Sequence, residues 1–462
     1  MNTTEQMKLF MEPKSIALIG VTRSAGVGAF DFPGTLLNLN FSGKIYPVNP
    51  KAEQISGLKA YPHVKAIPGD IDLAVIATPR DTVPPLVQDC VEKGIKAIIV
   101  VAQGFADADE EGKALQAQIV KTAKEGGTRI IGPNTFGVAN VFYNFSTTPA
   151  PPQTEKIPIG GISQTGLFFL GFPRLRFGKV IDLGNACDIG LADALAYFED
   201  DPDIKVIVLH IEGIQEGKKF LQVAKRVARK KPVIALKGGK SETGAQAVQS
   251  HTGSLVGKDE VYEAAFNQCG IIRASDAEEL EDLSLAFLRL PPMKGKRLAI
   301  TSWAGATMVL AADACERYGL ELPKLSPVTV SKIRQLAPPW LPIHNPIDLW
   351  ASIGLIADRQ SFKERMRIVL EALLAEENAD AVLAIIPDFV EMFGEYGDIS
   401  SLFLDAADAL EHHPLIFSIL GAPGRFTAKL EQNNRTVVFA SPERGVRALS
   451  KLWGYSQRLE GT

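Results

Sequence analysis

Ser15-Ile16-Ala17-Leu18-Ile19-Gly20-Val21-Thr22-Arg23-Ser24-Ala25-Gly26-Val27-Gly28 reads as an apolar strand that empties into small and hydroxyl residues. Similar β-branched runs follow: Ile45-Tyr46-Pro47-Val48, Leu73-Ala74-Val75-Ile76-Ala77, Ala97-Ile98-Ile99-Val100-Val101 and Arg129-Ile130-Ile131. An amphipathic segment at 83–93 separates two of them. Strands that are apolar throughout and alternate with helices predict a parallel sheet covered on both faces. Ligands of such sheets bind outside the carboxyl ends of the strands. The loops falling there are 20–28, Val48-Asn49-Pro50-Lys51, Ala77-Thr78-Pro79 and Gln103-Gly104-Phe105. The first loop lacks GxGxxG, and no acid follows the second strand to hold a ribose diol. Lys51 stands in that place and suits a phosphorylated ribose, so a phosphate-rich adenine cofactor is favoured over NAD. Arg23, Ser24 and the glycine N–H groups suit a pyrophosphate at a helix start.

After the extended stretch Ser146-Thr147-Thr148-Pro149-Ala150-Pro151-Pro152 a second series begins. Its strands are expected at Ile157-Pro158-Ile159, Val180-Ile181, 204–209 and Val233-Ile234-Ala235-Leu236. Gly160-Gly161-Ile162-Ser163-Gln164-Thr165-Gly166 leads into an apolar helix expected over 167–175, capped by Ser163 or Thr165 with its first N–H groups aimed outward. The strand from Ile204 ends in His210-Ile211-Glu212-Gly213-Ile214, which puts a carboxylate at a strand's carboxyl end. His210 reads as structural, because no glycine or hydroxyl surrounds it.

The last strand of that series opens into Lys237-Gly238-Gly239-Lys240-Ser241-Glu242-Thr243-Gly244-Ala245 and then Ser250-His251-Thr252-Gly253-Ser254. Small residues let N–H groups approach a phosphate, and Lys237 and Lys240 would hold its charge. A histidine ordinarily titrates near about pH 6.5, so much of His251 is free base at neutral pH and able to attack phosphorus. Glycines at both ends of 238–257 suit a hinge that carries it. Two plainer readings stand beside this one. Gly239-Lys240-Ser241 looks like the end of a P-loop, but Ile234 occupies the place of the first glycine, so the pattern fails and ATP binding by this loop is not expected. A loop histidine can also simply cap a helix or face solvent.

A third series starts after Pro291-Pro292-Met293-Lys294-Gly295-Lys296, with strands expected at 297–301, 381–386, 415–419 and 436–438. It offers no nucleophile, so its work is read as packing, subunit contact and partial lining of the site. With 462 residues, two to four domains are the prior. A net charge of −4 gives no electrostatic reason to expect nucleic acid or an anionic membrane. No apolar run approaches the roughly 18 residues of a membrane span, and the first residues lack a signal-peptide pattern. Four scattered cysteines and six histidines form neither a disulfide framework nor a metal-ligand set, so no metal site is expected and the cytoplasm is.

Gly20…Gly26-Val27-Gly28, Tyr46-Pro47-Val48-Asn49-Pro50-Lys51, Gly104-Phe105-Ala106 and Gly132-Pro133-Asn134 resemble the CoA-binding domain of the succinyl-CoA synthetase superfamily. They are closer to its ADP-forming (NDP-forming) acyl-CoA synthetase branch, alpha-subunit type. Gly184-Asn185-Ala186-Cys187-Asp188, Asn345-Pro346-Ile347-Asp348-Leu349 and Ser441-Pro442-Glu443-Arg444-Gly445 extend the likeness along nearly the whole chain. The resemblance implies an α/β fold of three consecutive domains: a Rossmann-like CoA-binding domain over 1–147, a flavodoxin-like ligase domain with the phosphohistidine over 148–290, and a second flavodoxin-like domain over 291–462. It implies CoA contacts at Thr22, Arg23, Ser24, Gly26, Val27, Lys51, Thr78, Pro79 and Asn134. Thr135 stands where relatives often carry a cysteine, so thiol chemistry is not available there.

By the same resemblance Ser163, Gln164, Thr165, Gly166, Asn185 and Gly253 bind phosphate, and Glu212 hydrogen-bonds the catalytic imidazole of His251. The implied activity interconverts acyl-CoA, ADP and phosphate with carboxylic acid, CoA and ATP through an acyl phosphate. All residues are already assigned and an ATP-grasp domain would add roughly 200 more. ATP/ADP and Mg²⁺ are therefore expected on a separate ATP-grasp beta subunit, in an alpha2beta2 assembly. The alternative of a different class is a CoA or acyl-CoA sensor on the same scaffold, which would need neither His251 nor Glu212. An NAD-dependent dehydrogenase is disfavoured by Lys51 and the absent GxGxxG.

Overall fold

The apolar runs become strands because both of their faces are covered. Burial is complete along Ser15–Ile19, Leu73–Ile76, Ala97–Val100 and Ile159–Ser163. The computed structural model describes residues 2–21, 31–148, 154–252, 257–351, 359–409 and 413–461. It divides into two units, Met1–Leu280 and Glu281–Thr462.

The first unit holds two large sheets. One runs Lys44–Val48, Ser15–Ile19, Leu73–Ile76, Ala97–Val100, Arg129–Ile131, all parallel. The other runs Ile272–Ala274, Val233–Lys237, Val206–Ile211, Ile159–Ser163, Lys179–Asp182, then Val138–Asn140 and Phe145–Ser146. Its first five strands are parallel, and the last two form an antiparallel edge. From Ile159–Ser163 the chain builds outward in both directions, so the carboxyl end of that strand is a topological switch point where a crevice opens.

Three features differ from the sequence reading. The antiparallel edge was not expected, and it brings residues 138–146 into the second sheet, ahead of the boundary placed at 147. The division at Leu280 likewise precedes the boundary placed at 290, and both expected N-terminal domains share one unit. The apolar helix expected over 167–175 is only a 3-10 helix, Gly166–Leu170. Gly171 and Pro173 follow at once, and the residue before a proline is pushed out of helical conformation.

The second unit carries one parallel sheet, Ile347–Asp348, Leu298–Ser302, Ala381–Pro387, Leu415–Leu420, Val437–Phe439. Asn345, from the Asn-Pro-x-Asp-Leu segment, acts as an extra strand residue: its Oδ1 accepts the Ile300 N–H at 2.8 Å and its amide donates to the Leu298 carbonyl at 2.9 Å. Ser302 closes a tight turn, its Oγ accepting the Ala304 N–H at 3.2 Å and donating to the Ala304 carbonyl at 3.0 Å. Trp303 packs edge-on against Phe389, Phe362 and Trp350. Asp388, just past Ala381–Pro387, accepts from the backbone of Gly424, Thr427 and Glu391 and from the Thr427 hydroxyl. Among the described residues no helix is long and apolar enough to cross a membrane.

At the carboxyl edge of the first sheet the loops meet at Gly20, where φ is +89° and an added Cβ would lie 2.4 Å from Thr78 Cγ2 and 2.7 Å from the Ala77 carbonyl oxygen. Gly57 has φ +78° with open space around it. Gly20→Ala is therefore expected to destabilise the protein by about 3 kcal/mol and Gly57→Ala by only about 1 kcal/mol, read from urea unfolding midpoints. Equal costs would mean that backbone strain alone governs Gly20.

Candidate active site

The first sheet's loops are braced to one another. Asn49 Nδ2 donates to the Val21 carbonyl at 2.9 Å, and its Oδ1 accepts the Lys51 N–H at 2.8 Å, fixing the backbone beneath an exposed lysine. Thr82 Oγ1 donates to Thr78 Oγ1 at 2.8 Å, beside exposed Pro79. Asn134 holds φ +59°, its N–H on the Ala102 carbonyl. Lys51, Thr78, Pro79 and Asn134 thus share one edge, which suits a phosphorylated nucleotide. Thr22, Arg23, Ser24, Gly26 and Val27 lie outside the described residues, as does Gly253.

The second sheet's carboxyl edge is built by side chains that cross between strand ends. Gln164 is buried, and its Oε1 accepts the N–H groups of Glu212 at 2.8 Å and Gly213 at 3.1 Å. Glu212 is 6% exposed. Ser163 Oγ accepts the Thr165 N–H at 3.0 Å, donates to the Thr165 carbonyl at 2.8 Å and lies 3.2 Å from His210 Nδ1. The Thr165 side chain makes no capping bond of its own. Gly166 is required by packing, since an added Cβ would fall 1.9 Å from the Phe136 ring. A cavity of about 180 Å³ opens beside this turn, lined in part by Gln164, Ala186, Cys187, Gly213, Ile214 and Phe220. Burial pushes the Cys187 thiol up, so it has no thiolate character.

Several expected roles change. Asn185 gives its amide hydrogens to Asp107 Oδ1 at 2.7 Å and Gln116 Oε1 at 3.1 Å and receives Asn134 Nδ2 at 3.4 Å. It braces the loops between the two sheets and aims neither hydrogen at a phosphate. Lys237 is 2% exposed; its ammonium donates to the Gly238 carbonyl and lies 4.6 Å from the centre of the Tyr262 ring. Burial holds it below the usual lysine range. Lys240 donates to the Ser275 carbonyl. Lys237 is thus enclosed, whereas Lys240 is exposed. The segment read as a hinge is mostly a helix, Glu242–Thr252, whose Ser241 Oγ accepts the Gly244 N–H at 3.1 Å. Its alanines and glutamines favour that state, and Gly244 alone does not break it. His251 thus sits near the end of a helix, and its side chain is outside the described atoms.

Asp182 was missed, although like Glu212 it is a carboxylate at a strand's carboxyl end with a glycine close behind, Gly184 two residues on and Gly213 next in line. Its Oδ2 accepts the Phe136 N–H at 2.7 Å and its Oδ1 the Gly184 N–H at 3.2 Å. Burial pushes its carboxyl up to about 6, against the pull of those N–H groups, and the charge of Glu212 adds to the rise. Thr135 donates to the Asp182 carbonyl at 2.5 Å.

This arrangement, a nucleotide-binding sheet edge joined to a second edge with buried carboxylates at a switch point, is that of a CoA-dependent ligase scaffold. A "CoA binding domain" profile matches residues 14–141, and a "Succinyl-CoA ligase like flavodoxin domain" profile matches 160–287. The chain is 38% identical over 391 residues to the alpha subunit of acetate–CoA ligase [ADP-forming] II of Pyrococcus furiosus, covering 83% of each. It is 33% identical over 465 residues to the alpha subunit of that organism's acetate–CoA ligase [ADP-forming] I, covering 98% of each. It spans 64% of the length of acetate–CoA ligase [ADP-forming] I of Archaeoglobus fulgidus, at 35% identity. The dinucleotide-forming acetyl-coenzyme A synthetase 1 of Ca. Korarchaeum cryptofilum, solved with phosphate and ADP, superposes with a TM-score of 0.87 at 29% identity, over 99% of this chain and 98% of that one. The chain belongs to the family of ADP-forming acetate–CoA ligase alpha subunits.

The raised Asp182 carboxyl has a consequence for stability. A folded-state value above the ordinary 3.8 means that the proton favours folding: the contribution is complete below about pH 3.8 and is lost as pH rises through 6. Against Asp182→Asn, which cannot ionise, the wild type is expected to lose at most about 3 kcal/mol across that window in urea unfolding. A pH-independent difference would contradict the assignment.

Proposed function

We propose that the chain is the alpha subunit of an ADP-forming acyl-CoA synthetase in which His251 carries the phosphoryl group. Inorganic phosphate attacks the carbonyl carbon of acyl-CoA held at the first sheet's edge. The C–S bond breaks, CoA leaves and an acyl phosphate remains. A ring nitrogen of His251 attacks phosphorus, the bond to the acyl oxygen breaks, and the carboxylate departs. ADP then takes the phosphoryl group from the imidazole, giving ATP. Glu212 accepts the N–H of the other ring nitrogen, which fixes the tautomer and balances the charge of the phosphorylated ring.

The observation that carries this reading is the placement of Glu212: buried at the carboxyl end of Val206–Ile211, pinned through its N–H by Gln164, beside the strand Val233–Lys237 whose next helix contains His251. At the phosphate turn the contribution falls to individual N–H groups. A 3-10 helix of five residues has little macrodipole, and Ser163 already takes the Thr165 N–H. Lys51, Thr78, Pro79 and Asn134 contact CoA. The names of the relatives support a small carboxylic acid as substrate and ADP as acceptor. Their designation as alpha subunits supports a partner, which we assign as an ATP-grasp beta subunit holding ADP and Mg²⁺ in an alpha2beta2 assembly.

The test is to incubate the reconstituted complex with γ-labelled ATP and Mg²⁺. Acid-labile, base-stable label is expected on this chain and is abolished by His251→Ala. Glu212→Gln is expected to slow labelling by at least about 100-fold. Label that survives His251→Ala rejects the nucleophile.

A further inference from the structure

We infer that His210 is a positioning residue for Glu212, one half of a reciprocal latch between the strand ends Ile159–Ser163 and Val206–Ile211. The inference rests on the phosphoryl-transfer reading above. His210 is the penultimate residue of its strand, and its Nδ1 lies 3.2 Å from Ser163 Oγ. One residue beyond Ser163, Gln164 reaches back and takes the N–H groups of Glu212 and Gly213. Each strand end thus sends one side chain to the other, and Glu212 is held between the two cross-links.

The position of one proton fixes the sense of the His210 bond. Ser163 Oγ and the Thr165 carbonyl oxygen are 2.8 Å apart, a separation at which two oxygens need a hydrogen between them. Only the serine hydroxyl has one to give. With that hydrogen committed, and the Thr165 N–H already donated to it, Oγ can only accept from His210. The proton of His210 therefore sits on Nδ1. The ring plane is set by stacking on Phe168 at 4.4 Å between centroids with 25° between planes. On its far side Nε2 faces Gly238, where an added Cβ would be 3.7 Å away, at the root of the segment leading to His251. Ser163 is fully buried, so water does not substitute for the imidazole donor.

A side chain that only filled space would not constrain the tautomer or spare the thioester half of the reaction. Two-bond ¹H–¹⁵N correlation on the labelled full chain reads the tautomer directly, with Nδ1–H expected. In the reconstituted complex, His210→Ala is expected to slow formation of the acid-labile label about 3- to 10-fold, the effect of one buried hydrogen bond, with the KM for CoA unchanged. His210→Asn, which places an amide N–H near the Nδ1 position, is expected to restore most of the rate and guards against simple misfolding of the alanine variant. An Nε2–H tautomer, an unchanged rate in His210→Ala, or equal impairment of the alanine and asparagine variants would overturn the inference. Absence of label in the wild-type complex would instead reject the phosphoryl-transfer reading and this role with it. Normal wild-type labelling with an indifferent His210→Ala rejects His210 alone.

Discussion

One side-chain carbonyl, Gln164 Oε1, anchors the chemistry-bearing edge of the chain. By accepting two consecutive backbone N–H groups, those of Glu212 and Gly213, it does for a strand end what a further ladder partner would do. The strands Ile159–Ser163 and Val206–Ile211 pair in parallel up to this point and would otherwise separate as the chain leaves the sheet. An unmet N–H in so buried a place costs about 1–3 kcal/mol. The amide removes that cost twice and sets the backbone from which the Glu212 carboxylate projects.

Around that anchor the edge is electrostatically tense. Asp182, Glu212 and Lys237 are all buried at strand ends along one edge of the same sheet, the strand Ile159–Ser163 standing between the two acids. Burial is the main reason that the Asp182 carboxyl is raised, and the charge of Glu212 adds to it. The lysine is capped by the Tyr262 ring, and among the described residues it makes no ion pair with a carboxylate. A positive charge so enclosed acts on its surroundings through its field more than through direct contact, and little water screens it. Phosphate chemistry at such an edge meets an environment set in advance by the fold.

Much of the fold was legible because strands buried on both faces are written as unbroken apolar runs. Most of the expected strands fall within two residues of the stretches read from sequence; the one read at 157–159 instead runs Ile159–Ser163, into the glycines read as a turn, because Pro158 cannot donate, and the short edge strand Ile272–Ala274 was not read. The hairpin Val138–Asn140 and Phe145–Ser146 was illegible because strands of three and two residues carry no periodicity. Glycine was only partly legible. Between the flanking glycines of 238–257 good helix formers build the helix Glu242–Thr252, which the sequence reading did not anticipate. At Gly166 packing against the Phe136 ring is a constraint that no local motif reveals. The partners of Asn185 and His210, namely Asp107, Gln116 and Ser163, were illegible for a related reason: they are far away in sequence, and only the fold brings them together. Short motifs locate an edge, whereas the duties of single side chains there depend on what the neighbouring strands deliver.

The turn at Ser302 repeats that at Ser163, with the same hydroxyl bridging the N–H and carbonyl two residues on. The residue after the serine is different. Trp303 replaces the amide with an indole buried in a nest of aromatic rings, and Asp388, at the strand end matching that of Glu212, has its oxygens saturated by four donors. The C-terminal sheet thus repeats the turn of the central one with an indole in an aromatic cluster where the central turn carries an amide, and its strand-end acid is occupied by backbone and hydroxyl donors. Building a second reactive edge there would take coordinated replacement of the indole and of the loop that captures the carboxylate, so no single substitution converts that turn into a copy of the central one.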